Sequence, residues 1–286
     1  MGQTPQRSIS SYSRTMKDLT FLLPCRIESE DRLKNVITST TYLLKNFPEA
    51  KVILKEVDTR AHFKFRALPI IKKYVNTDQL THIFEESDEK FFHKTRILND
   101  LLVASDTPIV YNHDVDVVLP KESYELAYSA IKKGQSDAVY PFGCGVYQWA
   151  VNYSESIFSQ FLDSDFDFST LDEGKFRVAS SIGWGQMIKR DTEIEVGMWN
   201  ENFISWGAED CEFYFRLNSF GRKVGRVLGD IYHFEHGRTF NSHYHNPKFM
   251  DNHNLWQDIR TWDADKLIEY YQKQDYNAKR LEELSC

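Results

Sequence analysis

Cysteine is scarce in this chain of 286 residues, and Cys25, Cys144, Cys211 and Cys286 stand far apart. Sulfurs without short C-x-x-C spacing exclude a thiolate metal cluster, and free thiols are expected rather than a disulfide framework. No run of about 18 apolar residues exists, so no membrane-spanning helix is expected. Basic charge is also short: 35 Lys and Arg against 42 Asp and Glu leave a net charge of −7, which argues against nucleic acid as a partner. The opening stretch lacks the apolar centre of a signal peptide, and Met1–Lys17, rich in Ser, Gln and Arg, reads as a flexible tail.

What is present suits one large α/β domain over 18–262, with a C-terminal helix over 263–286 packed on it. Apolar runs at Asp18–Cys25, Lys51–Val57, Thr81–Glu85, Thr107–Tyr111 and Asp137–Phe142 read as strands. Helical spacing separates them: Leu33, Val36, Ile37, Thr40 and Leu44 after a Ser29 cap, then His62–Val75, Phe92–Ala104 and Lys121–Lys133. Strands alternating with helices predict a mostly parallel sheet covered on both faces. From Gly143 to Phe176 the periodicity is lost, and aromatic and acidic residues suggest loops around a site. Arg177–Arg190 reads as an irregular strand, and Lys223–His236 contains the last one. Aromatics make up 14% of the chain, enough for sugar-stacking surfaces beyond those the core absorbs.

Two short segments carry the most chemistry. Asn112-His113-Asp114-Val115-Asp116 ends a buried strand in two carboxylates, a place from which oxygen ligands can reach a hard cation. Trp206-Gly207-Ala208-Glu209-Asp210 puts two acids at the start of a helix, where the dipole favours an ionised carboxylate fit to act as a base. Turn and capping acids are the ordinary alternatives. His233 and His236 flank Phe234-Glu235 at another strand end and can ligate one cation. Carboxylate with imidazole suits Mn2+ better than Mg2+, the second choice. Pro24-Cys25-Arg26 follows the first strand, where Arg26 or Arg32 can meet a phosphate. For Arg32 a plain surface role is the simpler reading.

The order of these segments resembles the β-1,4-galactosyltransferase and chondroitin-polymerase type of GT-A nucleotide-sugar transferase. Leu23-Pro24-Cys25-Arg26 resembles its Pro-Phe-Arg segment, and Phe92-His93-Lys94-Thr95-Arg96-Ile97-Leu98-Asn99 its Phe-Asn-Arg-Ala-Lys-Leu-Leu-Asn segment. Asp114-Val115-Asp116 is identical to its metal motif, Trp206-Gly207-Ala208-Glu209-Asp210 resembles Trp-Gly-Gly-Glu-Asp, and His233-Phe234-Glu235-His236 has the spacing of Met-X-X-His. The resemblance implies a GT-A (Rossmann-like) fold, with Asp116, His233 and His236 on Mn2+ and Asp210 as the base. Pro24, Arg26, Phe92, Lys94, Arg96 and Asp114 would lie at the nucleotide, and Glu209, Trp206, Gly185 and Trp184 at the sugars. Three departures bear on sugar identity. Ala208 replaces a Gly, Cys211 stands where a third acid is usual, and Ile182 aligns with a Tyr of galactose-specific members, leaving room for an N-acetyl group.

The implied activity is inverting transfer of a hexose or N-acetylhexosamine (galactose or N-acetylgalactosamine class) from a UDP-sugar to a saccharide hydroxyl. A bacterial cytoplasmic enzyme extending a capsule or surface glycan, peripherally associated with membrane-bound acceptor at the inner membrane face, is the expected setting. Retaining transfer, hydrolysis and a catalytically silent nucleotide-sugar or glycan binding module are the rival readings.

Overall fold

The structure is a computed structural model that describes residues 15–179, 181–243 and 245–285. β1 (Leu19–Cys25) is buried along its whole length, as the unbroken apolar run requires of a central parallel strand. Ser29 then starts α1 (Glu30–Asn46), its hydroxyl accepting from the Arg32 amide at 3.2 Å. β2 (Lys51–Asp58) returns parallel to β1, with Leu22 opposite Ile53. The helical pattern after it is realised as a π-type turn, Phe63–Ala67, running into the short α2 (Leu68–Ile71). β3 (Leu80–Glu86), α3 (Lys94–Ala104) and β4 (Ile109–His113) follow, and β4 lies parallel to β1 on its other side.

β5 (Val117–Val118), α4 (Lys121–Lys132), β6 (Ala138–Tyr140), β7 (Gln148–Val151), α5 (Glu155–Asp163) and β8 (Lys175–Arg177) come next. Gly134 ends α4 with a φ of 68°, the left-handed turn that glycine makes without strain. β9 (Gly185–Lys189) and α6 (Arg190–Glu195) lead to α7 (Glu209–Ser219). β10 (Val224–Arg226), β11 (Ile231–Phe234), α8 (Phe249–Ile259), α9 (Ala264–Gln272) and α10 (Asp275–Ser285) complete the described chain.

The main sheet has seven strands in the order β10-β6-β9-β4-β1-β2-β3. β9 alone runs antiparallel, paired with both β4 and β6. A second sheet, β5-β11-β7-β8, stands beside it. The segment read as one irregular strand over Arg177–Arg190 starts on the last residue of β8 in the small sheet and otherwise holds only β9, of the main sheet. Lys223–His236 divides into β10 and β11 in different sheets. Periodicity reports a strand but not the sheet it joins.

α1 shows why. Beyond its apolar stripe it buries Asn35, Thr38, Ser39 and Thr41. Asn35 donates to the Phe234 carbonyl at 3.0 Å and Ser39 to the Val115 carbonyl at 2.8 Å, so one polar face of the helix pins both the β4–β5 loop and β11. The terminal segment is two helices rather than one. The Asn277 amide donates to the Tyr271 carbonyl at 3.0 Å, taking the acceptor that a continuing helix would use. Met16 is buried in the main core, so the tail read over Met1–Lys17 stops short of it; residues 1–14 lie outside the described residues.

Candidate active site

A solvent-open cleft of about 180 Å³ lies at the carboxyl ends of β1 and β4. Pro24, Phe92, Lys94, Asp114, Asp116, Trp184, Trp206, Glu209, Asp210, His233 and His236 all line it, so residues spread over most of the chain converge there.

The two acids of the β4 end divide their work. Asp116 Oδ2 lies 3.2 Å from His236 Nε2 and 3.6 Å from His233 Nε2, and one donor atom from each residue lies within 4.8 Å of the others. The outer ring nitrogens are occupied: His233 Nδ1 is 3.0 Å from Glu235 Oε1, and His236 Nδ1 is 3.0 Å from the Gly237 carbonyl. Such contacts orient an imidazole so that its other nitrogen faces a ligand. Asp116 Oδ1 is buried with no hydrogen-bond partner among the described residues, and a cation would satisfy it. Burial alone would raise the Asp116 carboxyl, but the two imidazoles hold it well below the usual carboxylate range. Burial pushes His233 down, and Asp116 and Glu235 outweigh it, bringing the imidazole up to about 9. The indole of Trp184 stacks on His233 at 5.6 Å and 19°, which further fixes the ring.

Asp114 turns the other way and meets Lys94 Nζ at 2.9 Å. The same ammonium lies 3.7 Å from Asp210 Oδ1 and 4.0 Å from Glu209 Oε1. Glu209 is buried and accepts from the Gly207 amide at 3.0 Å. Burial and the neighbouring Asp210 push its carboxyl up to about 7, against the pull of Lys94. Burial also raises Asp210, and Lys94 opposes that rise. The dipole argument foresaw an acid helped toward ionisation; desolvation outweighs it here. The turn into α7 is tight, with Ser205 at a φ of 63°, Gly207 at 124° and Ala208 at 69°. Trp206 is 37% exposed and stacks on Phe249 of α8 at 5.6 Å and 20°, a flat aromatic surface braced from behind.

Other sequence candidates fall differently. Arg26 donates to the Val57 and Glu89 carbonyls at 2.9 and 3.0 Å, with its guanidinium 5.6 Å from the Phe92 ring. Its Nη2 is buried without a partner among the described residues. Arg96 does not join the cleft. Two positions after Lys94 it lies on another face of α3, and its guanidinium is held by Glu85 at 2.7 Å and Asp100 at 3.6 Å. Gly185 pairs with His113 at the start of β9, where a Cβ would come within 2.3 Å of the Asn112 carbonyl, so its role is close strand packing.

Arg32, read as a surface residue, lines the cleft beside Glu28 at 3.6 Å. Asn241 was not foreseen at all. Its Oδ1 accepts from the Phe92 amide and Ser205 Oγ, both at 2.9 Å, and its Nδ2 donates to Glu28 at 2.9 Å, joining three segments of the wall. The one sequence signal there is Thr239 and Ser242, spaced as a capping box.

No family model matches the chain, and no curated protein matches it. Solved structures do. GalNAc-T7, in a crystal structure with UDP, GalNAc and Mn2+, matches with a TM-score of 0.61 at 13% identity over 88% of this chain and 50% of that one. PcManGT, a mannosyltransferase from Pyrobaculum calidifontis in complex with GDP-Man and Mn2+, matches with a TM-score of 0.55 at 14% identity, over 94% of this chain and 73% of that one. The chain has the GT-A fold. It spans about half the length of the GalNAc-T7 chain, and at these identities the likeness is one of architecture. The parallel part of this GT-A sheet delivers β1 and β4 to the cleft. The antiparallel β9 brings Trp184 beside them, and the second sheet supplies both histidines.

Proposed function

We propose that this chain is an inverting, metal-dependent glycosyltransferase that moves a hexose or N-acetylhexosamine of the galactose class from a UDP-sugar to a saccharide hydroxyl. One observation carries the reading: the Asp116–His233–His236 cluster and the Asp210 carboxylate line the same cleft, with Lys94 between Asp114 and Asp210. The donor set suits Mn2+, with Mg2+ as second choice, and both solved neighbours named above hold Mn2+. When bound, the cation would supply Lewis-acid stabilisation for charge developing on the leaving diphosphate.

The chain's own residues divide the remaining work. Pro24 and Phe92, with Arg26 behind the Phe92 ring, would form the nucleotide wall, with Asp114 toward the ribose. Trp206 offers an apolar face to a pyranose ring, and Glu209 hydrogen-bonds a sugar hydroxyl. Asp210 takes the acceptor proton as the acceptor oxygen bonds to the anomeric carbon and the bond from that carbon to UDP breaks. A sugar hydroxyl is far less acidic than a carboxylic acid, so the proton moves as the bond forms. Ile182, small where galactose-specific members carry Tyr, favours an N-acetylated donor. Extension of a bacterial capsule or surface glycan, by a cytoplasmic protein working at the inner membrane face, belongs to the same proposal. Among the described residues no helix is long and apolar enough to cross a membrane.

The test is transfer from UDP-Gal, UDP-GalNAc, UDP-GlcNAc and GDP-mannose to a panel of saccharides with Mn2+ or EDTA, reading product anomericity by NMR. Mn2+-dependent transfer with inversion is expected. A product that keeps the donor's anomeric configuration sinks the in-line mechanism. Binding of UDP-sugars with neither transfer nor hydrolysis would leave the silent binding module.

A further inference from the structure

Lys94 occupies a place that local helix physics disfavours. It is the first residue of α3, where the dipole's positive end repels a cation, and no side chain caps that end. Conflicts of this kind between local preference and global fold cluster at working sites. Its position is firmly held. His93 Nε2 contacts the Glu201 carbonyl at 2.8 Å, Thr95 donates to the Phe203 carbonyl at 3.0 Å, and Asn99 exchanges bonds with Trp199 at 2.9 Å. The start of α3 is thereby fixed against the segment that leads into α7.

Resting on the transferase reading, we propose that Lys94 is a positioning residue for the base: its ammonium, shared by Asp114, Asp210 and Glu209, keeps the Asp210 carboxylate ionised and aimed into the cleft. Asp210 is otherwise badly placed to stay charged. Glu209 and Cys211 neighbour it on α7, Asp114 faces it from the end of β4, and Tyr140 lies within electrostatic reach on β6. None of these is a cation. Gly183 lies against the carboxylate from β9's approach, where an added Cβ would come within 2.6 Å of Asp210 Oδ2, so a larger residue there would displace it. This role differs from a nucleotide contact. A phosphate clamp would act on donor binding, whereas Lys94 acts on the proton acceptor.

The experiment compares the wild type with Lys94→Met, Lys94→Gln and Lys94→Arg. Its first readout needs no activity: the 13C titration of the Asp210 carboxyl in metal-free protein, assigned through Asp210→Asn. Loss of the charge should move that titration upward by about one pH unit or more, and Lys94→Arg should restore it most of the way. The second readout is the pH profile of kcat with a saturating UDP-sugar and Mn2+. In Lys94→Met the acidic limb should shift upward with the titration, and kcat at neutral pH should fall about tenfold or more, with KM for the donor within about threefold of wild type. Lys94→Gln gives the same comparison if the Met variant does not fold. An unmoved Asp210 titration in a folded, uncharged variant overturns the proposal, as does a raised donor KM with kcat and its pH limb intact. A wild type without transferase activity would defeat the functional reading while the NMR titration still decides the coupling.

Discussion

At the residue scale the site depends on how unlike its carboxylates are made. Asp116 is held ionised by two imidazoles, Glu209 is pushed up to about 7 by burial and Asp210, and Asp210 itself is raised by burial with Lys94 opposing. Asp210→Asn keeps the shape and removes the proposed base, so kcat should fall by about 10²–10⁴ while UDP affinity in Mn2+, read by calorimetry, stays within a few-fold. An Asn variant with most of the wild-type turnover would remove Asp210 from the mechanism. Because burial raises the folded Asp210 carboxyl above its ordinary value, with Lys94 opposing, the acid limb of kcat should lie above that expected of a free aspartate. Glu209 makes a separate prediction about stability. Its folded value of about 7 exceeds the unfolded one, so the folded state binds the extra proton between them. Its contribution is full below the unfolded value and is lost as pH rises through about 7. Glu209→Gln should therefore gain on the wild type in urea midpoint as pH goes from 5 to 8, and a constant difference across that range would contradict it.

At the element scale, α1 and α7 are the helices that aim the chemistry. α1 reaches Val115 and Phe234 through Ser39 and Asn35, one turn apart, and so sets the distance between Asp116 and the two histidines. Asn35→Ala together with Ser39→Ala should weaken Mn2+ binding by about 10–100-fold in calorimetry without touching a ligand, as losses behind a metal site do. An unchanged affinity would mean that the loops hold themselves. α7 is anchored from below. Arg216 is fully buried, donates to Glu212 at 2.8 Å and to the Val196 and Met198 carbonyls at 2.6 Å, and lies 4.0 Å from the Tyr271 ring of α9. Arg216→Met leaves the buried Glu212 without its cation, held only by the Tyr271 hydroxyl that donates to it at 2.5 Å, and a loss of about 3–5 kcal/mol in urea unfolding is expected. A loss under 1 kcal/mol would show that Tyr271 alone satisfies Glu212.

At the scale of the whole molecule, the cleft is made where two sheets meet, and neither sheet holds a complete site. The main sheet brings the acids at the end of β4, and the small sheet brings the histidines on and after β11. Ligand binding should therefore stabilise the fold as a unit. UDP with Mn2+ should raise the melting temperature through mass action, and EDTA should abolish the rise. A rise with UDP that is indifferent to EDTA would separate nucleotide binding from the Asp116–His233–His236 cluster.

Much of this was legible in the chain itself. The alternation of apolar runs and helical stripes determined the α/β class, because burial on both faces demands such runs. The acids after Tyr111 and at Glu209–Asp210, with the histidines at the end of the last strand, were readable because chemistry at strand and helix ends depends on local residue type. The tertiary structure alone decided partners. It sent Asp114 to Lys94 and Asp116 to the histidines, turned Arg96 out to Glu85 and Asp100, and brought Arg32 and Asn241 into the wall. It also made the polar face of α1 a clamp and broke the terminal helix in two. Periodicity says which side of an element is covered, but the covering groups come from segments far away in the chain, and only the packing of two sheets around α1 determines which ones meet.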